Sequence, residues 1–190
     1  LLTIVSLPSF ASVSANVSFA SDYIWRGMTQ SDGPAIQGGF DYASDGGFYA
    51  GIWGSNVNFN DGAGSELDYY FGYGFDMGGV GVDIGYLAYD YPDNDSDLDF
   101  EEIYVGLSMG DLGLLYASGI DGAPDYMEVS YGFGDVGISY GQYDDYGDNL
   151  GISYGFGCGS YDCALTYSDF SDDGYGGDED ALVFSVSVSL

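Results

Sequence analysis

From Asn16 to Leu190 the chain alternates apolar residues with small or polar ones, in segments of about ten residues. Successive side chains of an extended strand point to opposite faces, so this period of two predicts strands with one apolar and one polar face. Glu66–Phe75 carries the pattern clearly. Leu67, Tyr69, Phe71, Tyr73 and Phe75 fall on one face; Glu66, Asp68, Tyr70, Gly72 and Gly74 fall on the other. The last segment sets Leu182, Phe184, Val186, Val188 and Leu190 against Ser185, Ser187 and Ser189. Twelve such segments are predicted, at 16–26, 35–42, 48–58, 65–75, 80–90, 99–109, 112–120, 126–133, 136–143, 149–156, 161–167 and 181–190.

The connections alternate in length. Short turns fall at Ala43–Gly47, Asp76–Gly79, Gly110–Asp111, Gly134–Asp135 and Gly157–Ser160; longer acidic loops fall at Gly27–Pro34, Asn60–Gly64, Tyr91–Leu98, Asp121–Asp125, Asp144–Asp148 and Ser168–Asp180. The repeated triplets Tyr73-Gly74-Phe75, Tyr131-Gly132-Phe133 and Tyr154-Gly155-Phe156 each end a strand that runs toward a short turn, with both aromatics on the outer face. A soluble sandwich would bury such faces but gives no reason for loops of alternating length. The predicted fold is therefore an all-β, transmembrane, antiparallel up-and-down barrel of about twelve strands, with short periplasmic turns and longer extracellular loops. The tyrosine–phenylalanine triplets then form a girdle at the periplasmic boundary.

Charge narrows the function. One basic side chain stands against 31 acidic ones, there is no histidine, and the formal net charge is −30. A surface with one cation cannot neutralise phosphates, so nucleic acid is excluded as a partner. Without histidine the usual general base and the commonest zinc ligand are missing, and no enzyme is expected. Acidity of this order goes with disorder when apolar residues are scarce, but 46% of this chain is hydrophobic and 18% aromatic.

Residues 1–15 read as the remnant of a signal peptide: Leu1–Pro8 is apolar, and Val13-Ser14-Ala15 is small enough for cleavage. That leaves 16–190 as the barrel, placed in the bacterial outer membrane, with lipid, lipopolysaccharide and the barrel-assembly machinery as partners.

The polar faces supply the candidate site. The pore-lining set is Asp22, Arg26, Asp41, Glu66, Asp68, Asp83, Glu102 and Glu128, interspersed with Gly72, Gly85, Gly106, Gly132, Gly141, Gly151 and Gly155. Arg26 shares its parity with Asp22, and two roles are open: anchoring solute at an eyelet, or pairing with a carboxylate such as Asp22 or Asp41, as a partly buried lone cation should. Twelve strands at ~4.8 Å spacing and ~40° tilt give a backbone radius of about 12 Å. The small residues would leave a narrow water path, which inward Tyr70, Tyr104, Tyr126 and Leu115 are placed to block.

Asp93, Asp95 and Asp97 have the spacing that opens a calcium loop, but Leu98 occupies the glycine position and Tyr104 the closing glutamate position. No EF-hand is expected, only loose Ca²⁺ or Mg²⁺ binding, and no organic cofactor. Cys158 and Cys163 flank a turn on the outer face, and an oxidising periplasm would allow them to bridge.

The run Ser21-Asp22-Tyr23-Ile24-Trp25-Arg26-Gly27-Met28-Thr29-Gln30, followed by Pro34–Tyr42, Gly47–Val57 and Glu66-Leu67-Asp68, resembles the TorF-type porin family of proteobacterial outer-membrane proteins. The likeness is carried mainly by the first half of the chain. It implies an outer-membrane barrel called a porin by inference, with no settled substrate. The terminal Leu190 departs from the aromatic residue that usually marks the assembly signal. The expected function is passive diffusion of ions and small solutes, with cations preferred. The alternative is a non-conducting barrel that presents acidic loops to partners or divalent cations.

Overall fold

The computed structural model describes residues 12–60, 62–92, 98–174 and 176–190. Its strands are β1 (Ser12–Ala20), β2 (Ile24–Trp25), β3 (Met28–Thr29), β4 (Ala35–Ala43), β5 (Phe48–Asn56), β6 (Ser65–Asp76), β7 (Gly81–Asp90), β8 (Phe100–Met109), β9 (Leu112–Gly119), β10 (Tyr126–Phe133), β11 (Val136–Tyr143), β12 (Gly147–Cys158), β13 (Tyr161–Asp172) and β14 (Glu179–Ser189). All except β2 and β3 pair antiparallel with their neighbours in sequence, and β1 pairs with both β4 and β14. The result is a closed barrel of twelve strands, as the alternation predicts. Its seam runs from Asn16 opposite Ser189 to Ala20 opposite Ser185 and extends by reciprocal backbone bonds between Ala15 and Leu190. Closure leaves no sheet edge, so the ladder's N–H and C=O groups find partners without water.

The outer faces are those the pattern assigns. Ile36, Phe40, Phe71, Ile103, Tyr131, Ile138 and Leu182 all point outward and are exposed, as are both aromatics of each tyrosine–phenylalanine triplet. An apolar surface continuous around the barrel far exceeds the patches that soluble monomers leave to water, and it suits lipid.

Several boundaries differ from the sequence reading. β1 begins at Ser12, and Ser12–Ala15 pair with Ala43–Phe40; residues 1–11 lie outside the described residues. β1 also stops at Ala20 instead of running to Arg26, because the chain turns inward there. The last three strands are longer than the apolar runs within them, since Gly147, Asp148, Asp172 and Glu179 join the ladder through their backbones. In consequence the β11–β12 connection shrinks to residues 144–146 and is not a long acidic loop.

Candidate functional site

Between β1 and β4 the chain does not form an external loop. It folds into the lumen at the long-loop end as a small hairpin, β2 and β3, with Ile24 opposite Thr29 and Trp25 opposite Met28. Arg26 (φ 47°) and Gly27 (φ 92°) form the turn. Two consecutive residues at positive φ match the right-handed twist of a two-residue hairpin, a geometry natural for glycine and unusual for arginine. Asp22 organises the base of this insertion: its carboxylate accepts from the hydroxyls of Thr29 (2.8 Å) and Ser31 (3.0 Å). Three longer-range bonds tie it to the wall. Asn58 N–H donates to the Gln30 carbonyl (2.8 Å), Thr29 N–H to Glu179 (2.8 Å) and the Tyr23 hydroxyl to Glu66 (2.9 Å). Asp22 is thus a loop-building residue and does not line the lumen wall.

The hairpin tip carries Arg26 across the lumen. Its Nη1 and Nη2 each donate to Glu102 on β8 at 2.7 Å, a bidentate pair and the one ion pair among the described residues. Arg26 therefore pairs, but with neither Asp22 nor Asp41, because the turn reverses the chain before Arg26 can lie along the β1 wall. The guanidinium is enclosed by the rings of Trp25, Tyr126 and Tyr143, at 4.1–4.8 Å from its central carbon. Trp25 in turn packs edge-on against Tyr89, Phe100 and Tyr143. Planar, weakly hydrated arginine suits such a box, where each desolvated ring contact contributes up to ~2 kcal/mol.

The predicted acids separate into two groups. Glu66, Asp68 and Glu102 are 2%, 7% and 1% exposed, so they do not meet lumen water as expected; the hairpin covers them. Asp41, Asp83 and Glu128 stay half-buried below it. Each of these binds a tyrosine hydroxyl: Asp41 accepts from Tyr70, Asp83 from Tyr49 (2.6 Å) and Glu128 from Tyr126 (3.0 Å). Tyr49 is also hydrogen-bonded to Tyr104.

Several inward glycines do not leave open space either. A Cβ on Gly72 would lie 2.2 Å from the Tyr49 hydroxyl, and one on Gly85 would lie 2.4 Å from the Tyr104 ring. Gly51 and Gly141 seat Tyr70 and Tyr126 in the same way. Each tyrosine lies flat across a neighbouring strand because nothing projects beneath it. The β4–β8 wall is therefore lined with tyrosine. The wall formed by β9–β14 and β1 carries Gly132, Ser139, Ser153, Gly155, Thr166 and Ser185, whose small side chains leave room. At the long-loop end a cavity of about 1020 Å³ opens around the hairpin, lined by Trp25, Met28, Phe59, Leu98, Phe100 and Tyr146 among others.

Asp93, Asp95 and Asp97 lie outside the described residues. Cys158 and Cys163 are joined by a disulfide on the outer face beside the β12–β13 turn, with their Cα atoms 5.9 Å apart. The hairpin is the element that strand parity misses. Its signal was the Arg26-Gly27 dipeptide between apolar neighbours, a hairpin turn with arginine where asparagine or aspartate is usual.

A closed, antiparallel, apolar-coated barrel of twelve strands, narrowed by an internal segment, places the chain in the class of up-and-down β-barrels with a lipid-suited exterior. The chain belongs to the bacterial family described as a bacterial protein of unknown function (Gcw_chp), whose model matches residues 7–172. No curated protein matches it in sequence. Among solved structures it is similar to the KdgM porin, with a TM-score of 0.61 at 12% identity over 93% of this chain and 97% of that one. Acinetobacter baumannii OccAB4 (TM-score 0.40, 13% identity, 91% of this chain and 56% of that one) and a mutant Rh. blastica porin (0.39, 13%, 95% and 99%) align more loosely. At these identities the likeness concerns the fold.

Proposed function

We propose that the chain is an outer-membrane channel for passive diffusion of ions and small solutes, and that it prefers cations. The observation that carries this reading is the charge left in the lumen. The only basic side chain is consumed by Glu102, while Asp41 and Asp83 remain half-buried along the tyrosine wall and Glu128 remains half-buried on the facing wall. Carboxylates in a narrow, low-dielectric tube focus a negative potential, which concentrates cations and repels anions. The apolar outer surface supports a membrane location, and the porin fold supports the TorF-type assignment. In this reading the short turns face the periplasm and the acidic loops face outward, where lipopolysaccharide and divalent cations are their partners. The barrel-assembly machinery is the partner that inserts the strands.

One observation favours the second reading, a structural barrel that does not conduct: the hairpin and its aromatic box fill much of the lumen at the long-loop end. Planar-bilayer recording of the purified protein separates the two. A channel gives stepwise openings; their absence from a protein that is folded and inserted would establish the structural reading instead. For the orientation, a cysteine introduced at Gly174 should label from outside intact cells and one at Gly78 should not. The reverse pattern would overturn the assignment of the two ends.

A further inference from the structure

We propose that Glu66 and Asp68, enclosed beneath the hairpin, bind one divalent cation of calcium size. The two residues are two positions apart on β6, so both project inward. Glu66 pairs across the sheet with Ser55; Asp68 lies between Trp53 on β5 and Tyr89 on β7. The Tyr23 hydroxyl donates to Glu66 from above, and the Tyr23 ring packs edge-on against Trp53 with centroids 5.4 Å apart. Tyr91 brings a second hydroxyl to Glu66. The enclosure is nearly complete, at 2% and 7% exposure.

Within it, Asp68 Oδ1 is buried and has no hydrogen-bond partner among the described residues, although Asp68 lies within electrostatic range of Glu66. No base is free to neutralise the pair, because Arg26 is held by both nitrogens on Glu102. Two adjacent carboxylates this far from water are too costly to remain bare, so they must share a cation or a proton. The donor set favours the cation. Two carboxylates and the hydroxyls of Tyr23 and Tyr91 are hard oxygens, and two negative charges match one divalent ion. The arrangement is irregular, which Ca²⁺ accepts with its six to eight flexible oxygen contacts; Mg²⁺ requires a near-ideal octahedron. The inference does not rest on conduction, since a barrel that passes no current would hold the ion equally well.

The test strips the purified full chain with chelator and titrates it with Tb³⁺, exciting the tryptophans. The chain has two, Trp25 and Trp53, and Trp53 lies beside the site. One saturable site with tryptophan-sensitised emission, displaced by Ca²⁺, is expected. Asp68→Asn and Glu66→Gln should each weaken it about tenfold or more, while Asp45→Asn in the exposed β4–β5 turn should leave it unchanged. Trp53→Phe keeps every ligand, so it should retain Ca²⁺ affinity yet lose most of the emission. That arm holds even if the acid variants fail to fold. Absence of a saturable site, full affinity in both acid variants, or undiminished emission in Trp53→Phe would each overturn the proposal. So would a pair held by a proton, recognised by a melting temperature that Asp68→Asn raises and Ca²⁺ leaves unmoved.

Discussion

Arg26 shows how one side chain can fix an insertion many residues long. Its guanidinium and Glu102 are both withdrawn from water, so neither tolerates loss of the other. Removing one partner of such a buried pair costs about 3–5 kcal/mol, because the survivor is left as an uncompensated charge. Arg26→Gln should therefore lower stability by that order in denaturant unfolding, with Trp25 in the box as a fluorescent reporter, and the double variant Arg26→Gln/Glu102→Gln should recover part of the loss. A single-variant cost below ~1 kcal/mol would place the pair with exposed ion pairs and deny it this role. A milder effect is expected at Asp125, in the connection between β9 and β10. The Tyr116 hydroxyl, the Gly119 N–H (3.0 Å) and the Ser118 hydroxyl (3.1 Å) bond to its carboxylate and hold it below the ordinary carboxylate range. A depressed folded-state pKa contributes stability above the unfolded value, and this is lost as pH falls through the folded one. Asp125→Asn should accordingly be less stable than wild type at neutral pH and converge on it in acid. A stability gap independent of pH would show that the bonds, and not the ionisation, matter. The carboxylates themselves were legible in the sequence as an inward set. Their division into wet and walled-in groups was not, since it depends on which of them the hairpin covers, and strand parity carries no information about a segment that leaves its strand.

The strands were legible because a barrel imposes one rule on every residue: outward is apolar, inward is small or polar. Eleven further strand positions agree with that rule within a few residues, whereas the first fails after Ala20. The alternation falters in Ser21–Arg26, where Ser21 takes an apolar position and Ile24 a polar one, but only Arg26-Gly27 marks the turn itself. Gly27 also decides how closely the hairpin approaches the wall. A Cβ there would lie 2.7 Å from Asn149 Cβ and 3.0 Å from Phe170 Cβ, on a backbone at φ 92° that side chains rarely adopt. Neither neighbouring atom is the end of a flexible chain, so the hairpin itself must move. Gly27→Ala should lower stability by about 1–3 kcal/mol and, in the channel reading, raise single-channel conductance by loosening the constriction. A variant that is folded and destabilised but conducts as wild type would show that the hairpin does not limit flow. The inward glycines teach a related lesson. Gly72 and Gly85 looked like empty lumen, but each is the seat of a tyrosine on the next strand, and only the cross-strand register could reveal the pairing of large with small.

At the scale of the whole molecule, an extreme charge is arranged around one narrow passage, and charge selectivity tests that arrangement. The potential inside the lumen should come from the acids that still meet water, Asp41, Asp83 and Glu128, and not from those beneath the hairpin. Under a KCl gradient the reversal potential should indicate cation preference, weakening toward 1 M salt as the screening length falls to ~3 Å. Replacing the three half-buried acids together by Asn, Asn and Gln should move the reversal potential most of the way to that of a neutral pore. Their hydroxyl partners can still donate to the amide oxygens, so the fold should survive. Glu66→Gln with Asp68→Asn should change it much less, since those groups are screened from the path and, if they hold a divalent ion, already neutralised. Arg26→Gln should shift it the other way, toward stronger cation preference, because Glu102 then contributes an uncompensated negative charge at the constriction. The ordering of these three variants is the discriminating result. A pore that prefers chloride would refute the selectivity outright. A pore that prefers cations but responds mainly to Glu66 and Asp68 would mean that the ion path runs beneath the hairpin and not along the wall of small residues.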